Sequence, residues 1–286
     1  MMSKYIEKAN TLIEAAPYIR KFAGKTVVIK YGGAAMIEPE LEHMVMDNVA
    51  LMATLGLHPV IVHGGGPAIS SMLKRLQIET SFVDGLRRTD DASMEVTEMV
   101  LSGKINKRIV HLLEKRGIPA VGISGKDASL FRAVKISSEG KDIGSVGEIT
   151  SCNPDLLNLL MKDAYVPVIS PVSSGEHEES LNINADVAAA KIASTLQAAK
   201  LIFLSDVPGI LRDLTDPESL ISSLSKDDLQ NMVDQGLIAG GMIPKTQCAA
   251  EAVASGVGSV HILDGRLQHA LLLEIFTEKG VGTVIW

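Results

Sequence analysis

Cysteine is almost missing from this chain of 286 residues, since Cys152 and Cys248 are the only two. Two cysteines build no disulfide framework, and neither has partners at the spacing zinc takes. Both are expected to be buried structural side chains, and no protein-ligated metal site is expected. Aromatic residues are scarce at 3%, and the formal net charge is −7. A nucleic-acid surface wants basic stripes and stacking platforms, so no nucleic-acid partner is expected. Long apolar runs are lacking too: none approaches the roughly eighteen residues of a membrane span, and Glu7, Lys8 and Glu14 interrupt the N-terminus where a signal peptide would be apolar. The expectation is a cytoplasmic protein with no membrane partner. The sequence also holds no HExxH, no EF-hand loop, no G-x-x-x-x-G-K-[ST] and no G-x-G-x-x-G, so any nucleotide site is of another kind.

What is present is regular. Apolar residues make up 46% of the chain, enough for a large core. Short β-branched runs alternate with amphipathic stretches from Thr26 onward, the pattern of a parallel sheet covered on both faces. Strands are predicted at Thr26–Ile29, Pro59–Val62, Ile118–Val121, Tyr165–Ser170, Lys200–Ser205 and Ser259–Leu263. After Pro39, the apolar residues Leu41, Met44, Val45, Val49, Met52 and Leu55 recur at helical spacing, with Pro at a permitted helix start and Gly56 at the end. Between Gly122 and Thr150 two short strands joined by a polar turn at Ser138 predict a hairpin over one end of the sheet. Before the first strand, Tyr5, Ile6, Ala9, Leu12, Ile13 and Ala16 form an apolar stripe that Pro17 is expected to kink. That stripe packs either on its own domain or on another subunit. The turn-rich segment Pro171–Ser180 is the best candidate boundary between lobes.

Two glycine runs directly follow predicted strands: Lys30-Tyr31-Gly32-Gly33 and His63-Gly64-Gly65-Gly66. Glycine backbone at the junction of a strand and a helix lets N–H groups converge on phosphate or carboxylate. Lys30 stands beside the first run, and Lys245 follows Gly240-Gly241-Met242-Ile243-Pro244 at another helix start. Asn182-Ile183-Asn184-Ala185-Asp186 opens a helix from Ala185 to Leu196, where Asn184 suits a cap and Asp186 suits either the helix dipole or a place between two lysines. Ser205-Asp206-Val207-Pro208-Gly209 repeats the strand-then-turn arrangement. Gly85-Leu86-Arg87 offers a guanidinium matched to a carboxylate, and Arg88 is expected at the surface. His63 reads as a strand-end residue and not as a base or ligand.

Taken together and in order, these six motifs resemble the amino acid kinase family over about Thr26 to the C-terminus. Within it they resemble the members that phosphorylate N-acetyl-L-glutamate with ATP. The resemblance implies an α/β fold, a three-layer αβα sandwich around a mainly parallel sheet. It implies an N-terminal helix over 1–25 for oligomerisation and regulation, an acceptor-binding lobe over 26–180 and an ATP-binding lobe over 181–286. Lys30 and Lys245 would neutralise the phosphoryl group and Asp186 would orient them. Gly65, Gly66, Arg87 and Asn182 would hold acetylglutamate. Gly32 and Gly33 would cradle phosphates, while Ser205, Asp206, Gly209, Leu211, Gly241 and Met242 would border the nucleotide. Mg²⁺ would be held mainly by the phosphates. The hairpin between Gly122 and Thr150 would serve as a lid.

The N-terminal extension is similar to that of arginine-inhibited, hexameric members. It implies a homo-hexamer with arginine as effector beside Tyr18, His261, Glu274 and Gly280. Some members bind a PII-type regulator, for which these residues carry no signature. Two other readings stay open: a related kinase acting on acetylaminoadipate or another small acceptor, and a non-catalytic regulatory protein of the same fold.

Overall fold

In the first strand Val27, Ile29 and Tyr31 face one apolar core while Val28 faces another, and all four are fully buried. Such a strand needs helices on both sides, and the chain supplies them in alternation. The structure, a computed structural model, describes residues 2–36, 38–83, 85–138, 140–213, 215–238 and 241–286. The chain opens with α1 (Met2–Phe22), β1 (Thr26–Tyr31), α2 (Pro39–Thr54), β2 (His58–His63) and α3 (Gly66–Arg75). A small hairpin follows, β3 (Phe82–Val83) and β4 (Leu86–Arg87), then one long helical stretch made of α4 (Asp91–Glu98), a π-helical segment (Met99–Ile105) and α5 (Asn106–Glu114). Next come β5 (Ala120–Ser124), β6 (Phe131–Ser138), β7 (Lys141–Cys152), α6 (Asp155–Lys162), β8 (Val166–Ser170), β9 (Val172–Ser174) and β10 (Ser180–Ile183). The last third holds α7 (Ala185–Thr195), β11 (Lys200–Ser205), β12 (Ser223–Leu224), α8 (Lys226–Asp234), α9 (Met242–Ala254), β13 (Val260–Asp264), α10 (Ala270–Phe276) and β14 (Thr283–Ile285).

The central sheet has eight strands in the order β12-β14-β13-β11-β1-β2-β8-β5. All its pairings are parallel except β13 with β14. One core lies between the sheet and α6, α7, α8 and α9, and the other between the sheet and α2, α3, α5 and α10. The result is the expected three-layer αβα sandwich. All six predicted strands form, with ends shifted by a few residues, and the helix after Pro39 forms as predicted.

The expectation for the hairpin changes. The hairpin of β6 and β7 does form, but it is no free flap over the sheet: with β9 and β10 it closes a small barrel. Its turn end is tied down as well, since Thr89 N–H donates to Ile143 O at 2.9 Å and Ser145 N–H donates to Thr89 O at 2.5 Å. Glu139, in its turn, lies outside the described residues. Segment Pro171–Ser180 runs through that barrel, and one continuous sheet serves both halves of the chain. Helix α1 is one continuous helical segment with Pro17 inside it; on an exposed helix water can replace the hydrogen bond a proline removes.

Only the end of α1 is packed. Phe22 is buried, whereas Tyr5, Ile6, Leu12 and Ile13 are 55–70% exposed, so the stripe does not pack on its own chain. Cys248 is buried as expected, but Cys152 is only partly so. No helix among the described residues is long and apolar enough to cross a membrane.

Ile61, in the middle of β2, is fully buried and touches the core under α2 and α3. Ile61→Ala is expected to cost about 2–5 kcal/mol of unfolding free energy through lost contacts and the cavity left behind, read from the midpoint of urea denaturation.

Candidate active site

Strands β1 and β2 run parallel and end side by side, Tyr31 opposite His63, so the two glycine runs emerge together. Helix α3 begins on the second run and α7 begins at Ala185, so the N-terminal ends of both helices face the same space. Asn184 caps α7 as its sequence suggests, its carboxamide oxygen accepting from Asp186 N–H at 2.8 Å and Val187 N–H at 3.4 Å. This space is a cavity of about 260 Å³. Lys30, Gly32, Gly33, Gly65, Gly66, Arg87, Asn182 and Asp186 all line it. The barrel forms one wall through Val146 and Ile183, and the β3–β4 hairpin another through Phe82 and Leu86.

A second cavity, of about 520 Å³, opens beyond the end of β11. Ser205, Asp206, Gly209, Leu211, Gly241 and Met242 line it together with Lys245, at the N-terminus of α9. Gly240 lies outside the described residues. Gly32 and Gly33 border the first cavity and not this one.

The two cavities share a wall. Lys30 Nζ lies 2.9 Å from Asp186 Oδ1, and Lys245 Nζ donates to Asp186 Oδ2 at 2.9 Å. Lys30 and Asp186 face the first cavity while Lys245 faces the second. Burial opposes ionisation of Asp186, but the two ammonium groups outweigh it and hold its carboxyl below the usual carboxylate range. Burial likewise lowers the pKa of Lys245, with Asp186 pulling it back up. The ring of Phe203 lies 5.0 Å beneath the Lys245 ammonium. Two ammoniums on one carboxylate leave one positive charge unmatched at the junction, which favours an anion there. Gly32 keeps that junction open, since a Cβ on it would sit 3.2 Å from the Lys30 ammonium.

Arg87 is the second uncompensated cation. It is 7% exposed, and its guanidinium donates to Thr80 Oγ1 at 2.7 Å, Ser70 Oγ at 2.7 Å and Gly66 O at 3.1 Å. The Phe82 ring packs 4.7 Å from it. These partners are neutral, and among the described residues no carboxylate pairs with it. Burial lowers its pKa, yet a guanidinium stays charged in proteins, so it is held ready for a carboxylate. Arg88 is exposed, as expected. Asn182 donates to Thr89 Oγ1 at 3.3 Å on the barrel side of the same cavity.

Tyr18, His261, Glu274 and Gly280 meet in a third cavity, of about 410 Å³, between α1, α10 and the sheet edge. His261 Nδ1 lies 2.7 Å from Glu274 Oε1, and Lys200 Nζ lies 2.8 Å from His261 Nε2. Burial pushes the Lys200 pKa down to about 8, partly offset by Glu274. Burial also lowers the His261 pKa, and it opposes the net lowering that His261, Val281 N–H and Lys200 impose on Glu274.

Several wall residues were not found from the sequence. Phe82, Leu101, Val146 and Pro171 line the first cavity, Leu237 and Ile238 the second, and Lys21 and Lys200 the third. Ser70 and Thr80, which aim Arg87, were missed too. None belongs to a glycine motif, and only tertiary contact marks them out.

The family model described as "Amino acid kinase family" matches residues 25–264. The chain is 54% identical over 293 residues to the acetylglutamate kinase of Heliobacterium modesticaldum, covering 99% of each chain. It is 54% identical over 280 residues to the acetylglutamate kinase of Thermoanaerobacter pseudethanolicus, covering 98% of this chain and 93% of that one. Among solved structures, N-acetylglutamate synthase from Neisseria gonorrhoeae, complexed with coenzyme A and N-acetyl-glutamate, superposes with a TM-score of 0.85 at 27% identity. The match covers 97% of this chain, which spans 63% of the length of that synthase. Carbamate kinase from Giardia lamblia superposes with a TM-score of 0.68 at 17% identity, covering 92% and 99% of the two chains, and shares the fold.

A carboxyl whose pKa is lowered on folding adds stability that is complete above its unfolded value of about 4 and is lost as pH falls through the folded one. The unfolding free energy of wild type minus that of Asp186→Asn is therefore expected to be largest near neutral pH and to shrink below about pH 4. Urea titrations across that range check it; a difference flat with pH would contradict the ion bridge.

Proposed function

Because this chain belongs to the amino acid kinase family, we propose that it acts as an acetylglutamate kinase, transferring the γ-phosphoryl group of ATP to the γ-carboxylate of N-acetyl-L-glutamate. The product is N-acetylglutamyl 5-phosphate, an intermediate of arginine biosynthesis. The observation that carries this reading is the Lys30–Asp186–Lys245 bridge in the wall between two cavities.

The first cavity, within residues 26–180 except for Asn182 to Asp186 at the end of β10 and the start of α7, takes the acceptor. Arg87 receives its α-carboxylate, the glycine N–H groups and Asn182 hold the rest, and the γ-carboxylate points at Lys30. The second cavity, within residues 181–286, takes ATP with its γ-phosphate toward Lys245. A γ-carboxylate has a reference pKa of about 4.3, so at neutral pH it is already the nucleophile and needs no general base. One of its oxygens bonds to phosphorus as the bond to the β–γ bridging oxygen breaks, and ADP leaves with that electron pair. The obstacle is charge. Two anions approach in line, and Lys30 and Lys245, fixed by Asp186, stabilise the equatorial oxygens as charge spreads over them.

ATP is expected to come with Mg²⁺, which when bound offsets phosphate charge. Among the described residues no group of three or more His, Cys, Asp and Glu side chains lies together, and Asp186 is already engaged by two lysines. The reading therefore seats the ion mainly on phosphate oxygens.

We read the third cavity as an effector site for L-arginine. Glu274 and Glu278 suit a guanidinium, and Lys21 and Lys200 suit a carboxylate. The exposed apolar stripe of α1 suits docking on another subunit, which supports a homo-hexamer in which α1 links one dimer to the next. An effector at that junction acts by binding one state of the ring better than another.

An ADP-release assay over N-acetylglutamate, acetylaminoadipate, glutamate, aspartate and carbamate is expected to favour N-acetylglutamate strongly; preference for another acceptor would refute the assignment. Lys30→Ala and Lys245→Ala are each expected to lower kcat by about 10²–10³-fold, the scale of losing one oxyanion stabiliser. Deleting residues 1–22 should leave catalysis, abolish inhibition by arginine and reduce the hexamer to dimers by light scattering. Full arginine sensitivity in that truncation would rule out the regulatory role of α1.

A further inference from the structure

His63 leads the second glycine run, yet no step above uses it. It is fully buried. Its Nδ1 lies 2.9 Å from Gly64 O and its Nε2 lies 3.3 Å from Nδ2 of Asn106, also fully buried. Two carbonyls fix which way that carboxamide faces, since Asn106 Nδ2 is 2.9 Å from Val168 O and 3.3 Å from Ile123 O. The reverse orientation would set an oxygen against both. With an N–H group facing it, Nε2 must accept, so Nδ1 carries the proton and donates to Gly64 O. Both partners are uncharged. Burial pushes the His63 pKa down to about 4, against a smaller upward pull from the Gly64 carbonyl, so the ring is neutral.

Peptide planarity carries this to the acceptor site. No peptide bond among the described residues is cis, so the Gly65 N–H points opposite the Gly64 carbonyl. With that carbonyl tied inward to His63, the N–H faces outward. Gly64 and Gly65 line the acceptor cavity. The Gly64 N–H is already spent on Tyr31 O at 2.8 Å, whereas the Gly65 N–H has no partner among the described residues. From behind, Leu101 and Ile105 of the π-helical segment press against Gly65 so closely that a Cβ there would run into both. Asn106 is the residue that follows this segment.

We propose that His63 and Asn106 are positioning residues of the acceptor site. Asn106 holds His63 in its Nδ1–H tautomer, and His63 holds the Gly64–Gly65 peptide so that the Gly65 N–H meets an acceptor oxygen. The proposal rests on the acceptor reading of that cavity, and two measurements separate the two. In ¹⁵N NMR of the unliganded full chain at neutral pH, His63 is expected to show only the Nδ1–H tautomer; an Nε2–H or mixed signal overturns the proposal whatever the substrate is. In steady-state kinetics, His63→Leu is expected to raise KM for N-acetylglutamate about tenfold and leave KM for ATP within about twofold, the scale of one misplaced hydrogen bond. His63→Asn, which keeps an N–H donor near the place of Nδ1, should recover most of the loss. Equal changes in both KM values, or none in either, overturn the proposal, since a merely structural role has no reason to split them. If His63→Leu does not fold, Asn106→Leu is the second variant, expected to give a mixed tautomer and the same KM split. Wild type inactive on N-acetylglutamate but showing the Nδ1–H tautomer would overturn the functional reading and uphold the pair.

Discussion

The bridge of two ammoniums on one buried carboxylate is the constraint around which the rest of the molecule is arranged. Removing either lysine would weaken the hold on Asp186, and removing Asp186 would set two cations against each other in a poorly hydrated place. The three groups come from far apart in sequence: Lys30 from the end of β1, Asp186 from the first turn of α7 and Lys245 from the first turn of α9. Only a sheet in which β1 lies next to β11, with α7 and α9 packed on the same face, brings them together. Fold and charge arrangement therefore specify each other.

Most of the remaining polarity comes from backbone. Helices α3, α7 and α9 each begin at a cavity, so their N-terminal N–H groups contribute partial positive charge without side-chain entropy to lose. Beyond the bridge, Arg87 adds a full charge on the acceptor side, and it is aimed by hydroxyls and a carbonyl, which direct it without cancelling it. Neutral partners for a buried cation make sense where a carboxylate is to arrive.

The six main strands, the two-sided burial and the glycine-run positions were legible in the sequence because each follows from local periodicity. Lys30, Asp186 and Lys245 stand together as the motifs imply, and Arg87 faces the first cavity. The barrel was not legible, since β9 and β10 are short and their pairing with β6 and β7 depends on contacts distant in the chain. Helix α1 stays one segment through Pro17, where an exposed backbone tolerates the missing hydrogen bond. Ser70 and Thr80 were invisible for a different reason: a hydroxyl that steers an arginine looks like any surface serine or threonine until the fold puts it there. The tautomer of His63 is likewise a property of its neighbours and not of its motif.

The π-helical segment between α4 and α5 has a consequence for how related chains are compared. A π turn accommodates one residue more than the α turn it replaces. Deleting one residue between Met99 and Ile105 would therefore restore a regular α-helix while leaving Asn106 and the residues after it close to their present facing. What would be lost is the bulge itself, and with it the local placement of Leu101 and Ile105 against Gly65. A relative whose sequence is one residue shorter here can keep α4 and α5 in register and still present different side chains to its second glycine run, a change confined to this one segment.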